Sequence, residues 1–238
     1  VNPEITIVGF PKCGTSALIR HYEGDAEVKV LRTLGGAMEM TWPLIKDLRP
    51  ALDSNRILVH KWTAYVYRRE ALEYLGAVNP NSLFVLCVRD PARALVSWHN
   101  MHSSIARSGK APSHFAWKER DFYADCSLSD YYERFARQRL QYDKYLATLL
   151  DVVPKERLAV VSQERLALGL AEVADYLKSL AKGGEYPGSV ADAKPVAKHE
   201  GYADKANVSV DEDIAKELAM VKLRLSQIIA RDILYKKF

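Results

Sequence analysis

The run Gly9-Phe10-Pro11-Lys12-Cys13-Gly14-Thr15-Ser16 holds residues whose types and spacing suit phosphate chemistry. Its frame is that of a phosphate-binding loop, G-x-x-x-x-G-K-[ST], with Gly9, Gly14 and Ser16 in register. Thr15 stands where the lysine of a nucleoside triphosphatase belongs, and a lysine occurs earlier, at Lys12. The backbone N–H groups of Gly14, Thr15 and Ser16 would cradle one phosphate at the positive end of the helix that follows, with Cys13 in the same binding set. The lysine that normally reaches β- and γ-phosphates is missing. That points to a nucleotide with a short 5′ group rather than to ATP, and it leaves Lys12 to touch whatever lies beyond the 5′-phosphate.

A second constellation is Phe84-Val85-Leu86-Cys87-Val88-Arg89-Asp90-Pro91, followed by Ser97. An arginine leaving a buried strand stands at the ligand edge of a parallel sheet, and its planar fork suits a phosphate. Asp90 as N-cap and Pro91 as first helical residue mark a helix start, which puts Ser97 about two turns in.

These groups need elements to carry them. Ile5–Gly9 reads as a β-branched strand entering the loop, and Ser16–Tyr22 as the helix leaving it. Val28–Leu31, Arg56–His60, Leu83–Val88 and Leu158–Val161 read as further strands. Arg68–Leu75, the helix after Asp90, Ser129–Leu150 and Leu170–Leu180 read as helices between them. Asn79-Pro80-Asn81 is a turn. Ser209 with Glu212 forms a capping box for a last helix, whose Ile214, Leu218, Val221, Leu225 and Ile228 share one face. Thr33–Met40 and Gly183–Ala206 read as loops. The Ser103–Cys126 segment, with Arg107, Lys110, His114, Phe115, Trp117, Lys118 and Arg120, reads as a lid or substrate-facing insertion, or else as a plain surface insertion. Strands alternating with helices imply an α/β, P-loop-like three-layer fold, with a mainly parallel sheet flanked by helices. One domain over residues 1–238 is expected.

Composition narrows the classes. Hydrophobic residues make up 48% and charged residues 27%, as in ordinary soluble globular proteins. The net charge of +4 suits an anionic ligand but does not argue for nucleic acid. Cys13, Cys87 and Cys126 form no C-x-x-C pair, and the odd count argues for a reducing, cytoplasmic compartment. A removed N-terminal leader or anchor would also be compatible with the sequence. His21, His60, His99, His102, His114 and His199 show no metal-ligand spacing, so no metal is expected. No run approaches the roughly 18 apolar residues of a membrane span.

Together the two motifs resemble the 3′-phosphoadenosine 5′-phosphosulfate (PAPS)-dependent sulfotransferases. "PKCGTS" resembles their 5′-phosphosulfate loop. "VLCVRDPARALVSWHN" resembles their 3′-phosphate motif, with Arg89 and Ser97 at the family's arginine-to-serine spacing. "RLAVVSQERL" (Arg157–Leu166) is similar to a late strand of the family, and "GYADKANVSVDEDIAKEL" to the tail before its last helix. The resemblance covers most of the chain in order, and it leans toward the glycan (heparan-sulfate-type) and bacterial carbohydrate branch.

What it implies is sulfuryl transfer from PAPS to a carbohydrate or small-molecule acceptor. The products are adenosine 3′,5′-bisphosphate (PAP) and the sulfated acceptor. Lys12 would stabilise the leaving group. Lys61, in "HKWTAYVY", matches a lysine of the glycan branch and would lie near the sulfuryl group or acceptor; there His60 replaces an acidic residue, and the branch's proline is absent. The acceptor must lose a proton. Glu39, in "GGAMEMTW", is the first candidate base and His60 the second. Lys194 and Lys198 occupy a region where the family places a 3′-phosphate loop, without its usual letters, and Lys198 is counted with the cofactor set. The alternatives are an enzyme acting on a small alcohol or phenol, a P-loop nucleotide kinase or phosphate-binding module, and a non-catalytic scaffold.

Overall fold

The computed structural model describes residues 3–31, 55–108, 120–184 and 209–232. Glu39, Lys194, Lys198 and the loops expected around them lie outside the described residues. The sheet has five strands: β1 (Glu4–Gly9), β2 (Val28–Val30), β3 (Ile57–Lys61), β4 (Leu83–Val88) and β5 (Leu158–Ser162). Their order across the sheet is β2-β3-β1-β4-β5, and every pairing is parallel. β1 and β4 are buried along their whole length; β4 is accordingly a continuous apolar run, whereas β1 carries Glu4 and Thr6 into the interior among its apolar residues.

The helices are α1 (Thr15–Tyr22), α2 (Arg69–Val78), α3 (Pro91–Ser108), α4 (Arg120–Asp125), α5 (Leu128–Tyr131), α6 (Tyr142–Val152), α7 (Gln163–Leu168), α8 (Leu170–Ala181) and α9 (Glu212–Asp232). α1 packs with α8, and α2 with α6, so the sheet is a middle layer with helices on both sides. Chain order turns back at β1: β2 and β3 lie to one side of it, β4 and β5 to the other. Such a switch opens a crevice beyond the carboxyl ends of the strands. The loop after β1 and the Arg89 turn after β4 both stand there.

Three expectations need correction. Ser129–Leu150 is not one helix. α5 passes into a π-helical turn, Tyr132–Ala136, in which the Arg137 N–H donates to the Tyr132 carbonyl at 2.8 Å, and Gln141 (φ −77°, ψ 64°) breaks the chain direction before α6. The wide turn lets consecutive Tyr131 and Tyr132 both be buried, which a regular α-helix with one apolar face does not favour. Ser103–Cys126 does not begin as a lid: α3 runs on to Ser108, because His102, Ser103 and Ala106 continue its buried face and Tyr131 Oη meets His102 Nδ1 at 3.0 Å. Residues 109–119 lie outside the described residues. The last helix is capped by Asp211 rather than by Ser209: its carboxylate accepts from Asp213 N–H at 3.0 Å, and its carbonyl from Ala215 N–H at 2.8 Å. The inward face of α9 is otherwise as expected, with Ile229 more buried than Ile228 at its end.

Candidate functional site

The loop between β1 and α1 is a tight left-handed turn. Gly9 adopts φ +145°, and a Cβ there would sit 2.8 Å from the Cys87 carbonyl oxygen of β4, so only glycine lets the loop leave the sheet this closely. Gly14 adopts φ +86°, and its Cβ would meet Leu166 Cδ1 at 2.8 Å. Lys12 holds φ +66°, a left-handed conformation unusual outside glycine. The turn is closed by Cys13 N–H donating to the Phe10 carbonyl at 3.3 Å, so that amide is engaged inside the loop.

Helix α1 begins with Gly14 as N-cap, no side-chain cap and no acidic residue in its first turn. Ala17 and Leu18 N–H both return to the Gly14 carbonyl. The amides of Gly14, Thr15 and Ser16 precede the first intrahelical bond, and they converge on the dipole's positive end. Such a terminus is able to receive an anion.

Two other elements bring cations to it. Lys61, the last residue of β3, is nearly buried, and its Nζ donates to Ser16 Oγ at 3.0 Å. A neighbouring strand thus supplies an amine to the loop whose own lysine position is Thr15. Arg89, just past β4, donates from Nη1 to the Lys12 carbonyl at 3.4 Å, which ties the turn after β4 to the loop after β1 directly. Lys12 Nζ lies 3.7 Å from Met101 Sδ of α3. Ser97, only 8% exposed, precedes Met101 by one helical turn and therefore shares its face.

The neighbouring Asp90 does not oppose these cations. Its Oδ1 accepts from Ala92 and Arg93 N–H, both at 3.1 Å, and its Oδ2 from Lys222 Nζ at 2.8 Å. Burial alone would raise its carboxyl, but Lys222 and the helix amides outweigh that and hold it below the ordinary carboxylate range. The Asp90-Pro91 helix start expected from the sequence is present.

His60 is placed elsewhere. It is 0% exposed; its Nε2 lies 3.2 Å from both Glu4 Oε1 and Thr6 Oγ1, and its Nδ1 3.4 Å from Tyr65 Oη. Successive strand side chains point to opposite faces, so Lys61 reaching α1 sends His60 the other way, into the interior. Both ring nitrogens are engaged there, and no surface of the ring is open to an acceptor. The Cys13 side chain is likewise under the loop: its Sγ sits 3.6 Å from the Pro11 carbonyl and 3.7 Å from Tyr142 Oη. Burial pushes its thiol up to about 12, which removes it as a nucleophile at neutral pH.

Sequence reading missed the loop's supports. Phe10 stacks on Tyr142 with centroids 3.7 Å apart and planes at 16°, and Tyr67 meets Tyr145 edge-on at 4.6 Å beside it. Gln163 and Leu166 of α7 pack on Gly14. Tyr142 and Tyr145 lie in the "QYDKY" stretch and Gln163 and Leu166 in "SQERL", whose letters carry no local sign of meeting the loop after β1. Among the described residues there is no cluster of three or more His, Cys, Asp or Glu that could hold a metal, and no helix long and apolar enough to cross a membrane.

No family model and no curated protein sequence matches the chain. Solved structures do. A sulfotransferase from Alicyclobacillus acidocaldarius superposes with a TM-score of 0.61 at 19% identity, covering 98% of each chain. Mouse sulfotransferase SULT7A1 complexed with PAP superposes with a TM-score of 0.50 at 11% identity, covering 91% of this chain and 62% of that one. The five-stranded parallel sheet, its flanking helices and the loop at its switch point are thus the α/β, P-loop-like fold of solved sulfotransferases.

Proposed function

We propose that this protein transfers a sulfuryl group from PAPS to an acceptor hydroxyl, on a carbohydrate or glycoconjugate. The observation that carries the reading is the cradle of Gly14, Thr15 and Ser16 amides, with Lys61 Nζ bonded to Ser16 Oγ and Arg89 bonded to the Lys12 carbonyl. One amide cradle suits one 5′-phosphate, and a separate arginine suits a second, remote phosphate. A triphosphate would call for a lysine at position 15, where the chain has Thr15. The donor supplies a sulfuryl group on a bridging phosphate oxygen, and the PAP carried by the mouse structure agrees with that choice.

In the reaction a new bond forms between the acceptor oxygen and sulfur as the bond from sulfur to the bridging oxygen breaks. The electron pair of that bond stays on the phosphate, where negative charge grows. Lys12 and Lys61 offset it, and the α1 amides hold the phosphate. Arg89 and Ser97 hold the 3′-phosphate, with Lys198 as a further contact. The acceptor's proton passes to a general base. Glu39 is the base in this reading, which the burial of His60 supports, and Glu39→Gln is expected to cut turnover at saturating PAPS by roughly 10²-fold or more. Steady-state kinetics of the variant check this; near-normal turnover removes Glu39 from the role.

The test of the whole reading has two parts. Thermal shift with PAP, ATP and ADP is expected to show stabilisation by PAP alone, and a preference for ATP would favour a nucleotide kinase. Labelled sulfuryl transfer from PAPS to glycans, small alcohols and phenols is expected to label the glycans; labelling confined to a small alcohol or phenol would overturn the carbohydrate assignment.

A further inference from the structure

We propose that His60 and Glu4 form a buried positioning pair that holds Lys61 on the anion cradle. Glu4, the first residue of β1, is 0% exposed. A carboxylate in the interior is costly unless its oxygens are well served. Here they are: Oε1 accepts from Thr6 Oγ1 at 3.1 Å and from His60 Nε2 at 3.2 Å, and Oε2 accepts from Asn79 Nδ2 at 3.2 Å. Thr6 Oγ1 in turn takes a bond from Ser82 Oγ at 2.9 Å. Arg157 donates to the Ser82 carbonyl at 3.0 Å and to the Asn79 carbonyl at 2.9 Å, which adds a positive charge behind the same turn.

Nε2 faces the Glu4 carboxyl oxygen at 3.2 Å and Nδ1 faces Tyr65 Oη at 3.4 Å. The ring therefore joins three pieces of chain: the start of β1, the penultimate residue of β3, and the 3₁₀ turn Thr63–Tyr67 that follows β3. Thr6 and His60 are also register partners between β1 and β3. A one-residue slip would turn Lys61 to the wrong face. The pair opposes that slip from one side of β3, while Tyr65 pins the exit of the strand. On the other side, the next residue's Nζ reaches Ser16 Oγ at 3.0 Å. His60 touches neither the cradle nor an acceptor and acts through Lys61.

The kinetic arm rests on the sulfotransferase reading; a second arm does not. In the kinetic arm, His60→Gln is expected to lower kcat by tenfold or more, since an amine misplaced by about 1 Å costs roughly 10². PAP affinity should change by less than about threefold, and the acid limb of the pH–kcat profile should keep its place. In a Lys61→Ala background, His60→Gln should cost nothing more. Loss of the acid limb would make His60 the base, and an additive loss in the Lys61→Ala background would make the pair merely structural; either result overturns the proposal. In the second arm, acetic anhydride labelling mapped by peptide mass spectrometry is expected to show Lys61 acetylated several-fold faster in His60→Gln, with Lys144 unchanged as the control. Unchanged Lys61 labelling overturns the proposal whatever the enzyme does. A wild-type protein that transfers nothing from PAPS, yet shows the faster Lys61 labelling in the variant, overturns the functional reading and upholds the pair. Should His60→Gln fail to fold, Tyr65→Phe takes away the hydroxyl that faces Nδ1 while keeping the ring, and the same faster Lys61 labelling is expected.

Discussion

Lys12→Ala is expected to lower sulfuryl transfer by about 10²–10³-fold at saturating PAPS, with PAP binding kept within a few-fold. The reason lies in where charge changes. In the bound donor the bridging oxygen carries little charge, and in the transition state it carries much more, so a cation beside it acts mainly on kcat. The substitution isolates the side chain cleanly. Lysine and alanine are both L-residues with a Cβ, so the left-handed φ of +66° is equally strained in either. The Arg89 bond is to the Lys12 carbonyl, which alanine keeps. The contact with Met101 Sδ is a weak one. Single-turnover transfer alongside a PAP titration checks the split. If PAP binding falls as far as the rate, Lys12 is a ground-state anion contact and not the leaving-group stabiliser.

Arg89→Ala is expected to show the opposite split, weakening PAP binding by roughly 30- to 150-fold, or about 2–3 kcal/mol, the loss of charge-assisted hydrogen bonds to one phosphate. Turnover at saturating PAPS should fall much less. It should still fall somewhat, because Arg89 Nη1 reaches the Lys12 carbonyl and so helps to hold the backbone that aims Lys12. Arg89→Lys keeps a charge without the planar fork and should recover only part of the affinity. Calorimetric titration with PAP and with adenosine 5′-monophosphate separates the 3′-phosphate contribution. An equal loss for both nucleotides would move Arg89 from the 3′-phosphate to the 5′ end of the site.

Much of the architecture was open to a reader of the sequence, because its signals are local. β1 is rich in β-branched residues and β4 is a continuous apolar run, Asp90-Pro91 caps a helix as such pairs do, and Gly9 and Gly14 punctuate a turn that needs them. Where reading failed, the deciding contacts were distant. Ser129–Leu150 keeps a helical apolar spacing throughout, yet the chain gives up a regular helix so that consecutive Tyr131 and Tyr132 can both be buried, Tyr131 in the aromatic cluster around Trp98 and His102. α3 overran its expected end for the same reason, its buried face continuing against Tyr131.

The candidate site divides in the same way. The loop with its displaced lysine, the cradle amides and the arginine at a strand end are all consequences of neighbouring letters, and the sequence alone determined them. It determined too that Thr15 replaces a lysine. Only the tertiary structure decided which amine comes to the loop: Lys61 arrives from β3, 45 positions along the chain from the Ser16 it bonds. It also decided that His60, adjacent to Lys61, is buried among Glu4, Thr6 and Tyr65. The physical reason is the strand's period of two combined with parallel register. Alternation says that neighbours part ways, but not which of them meets the helix. Pairing Thr6 with His60 and Ile7 with Lys61 settles that, by placing the buried carboxylate of Glu4 on one face of the sheet and the first turn of α1 on the other.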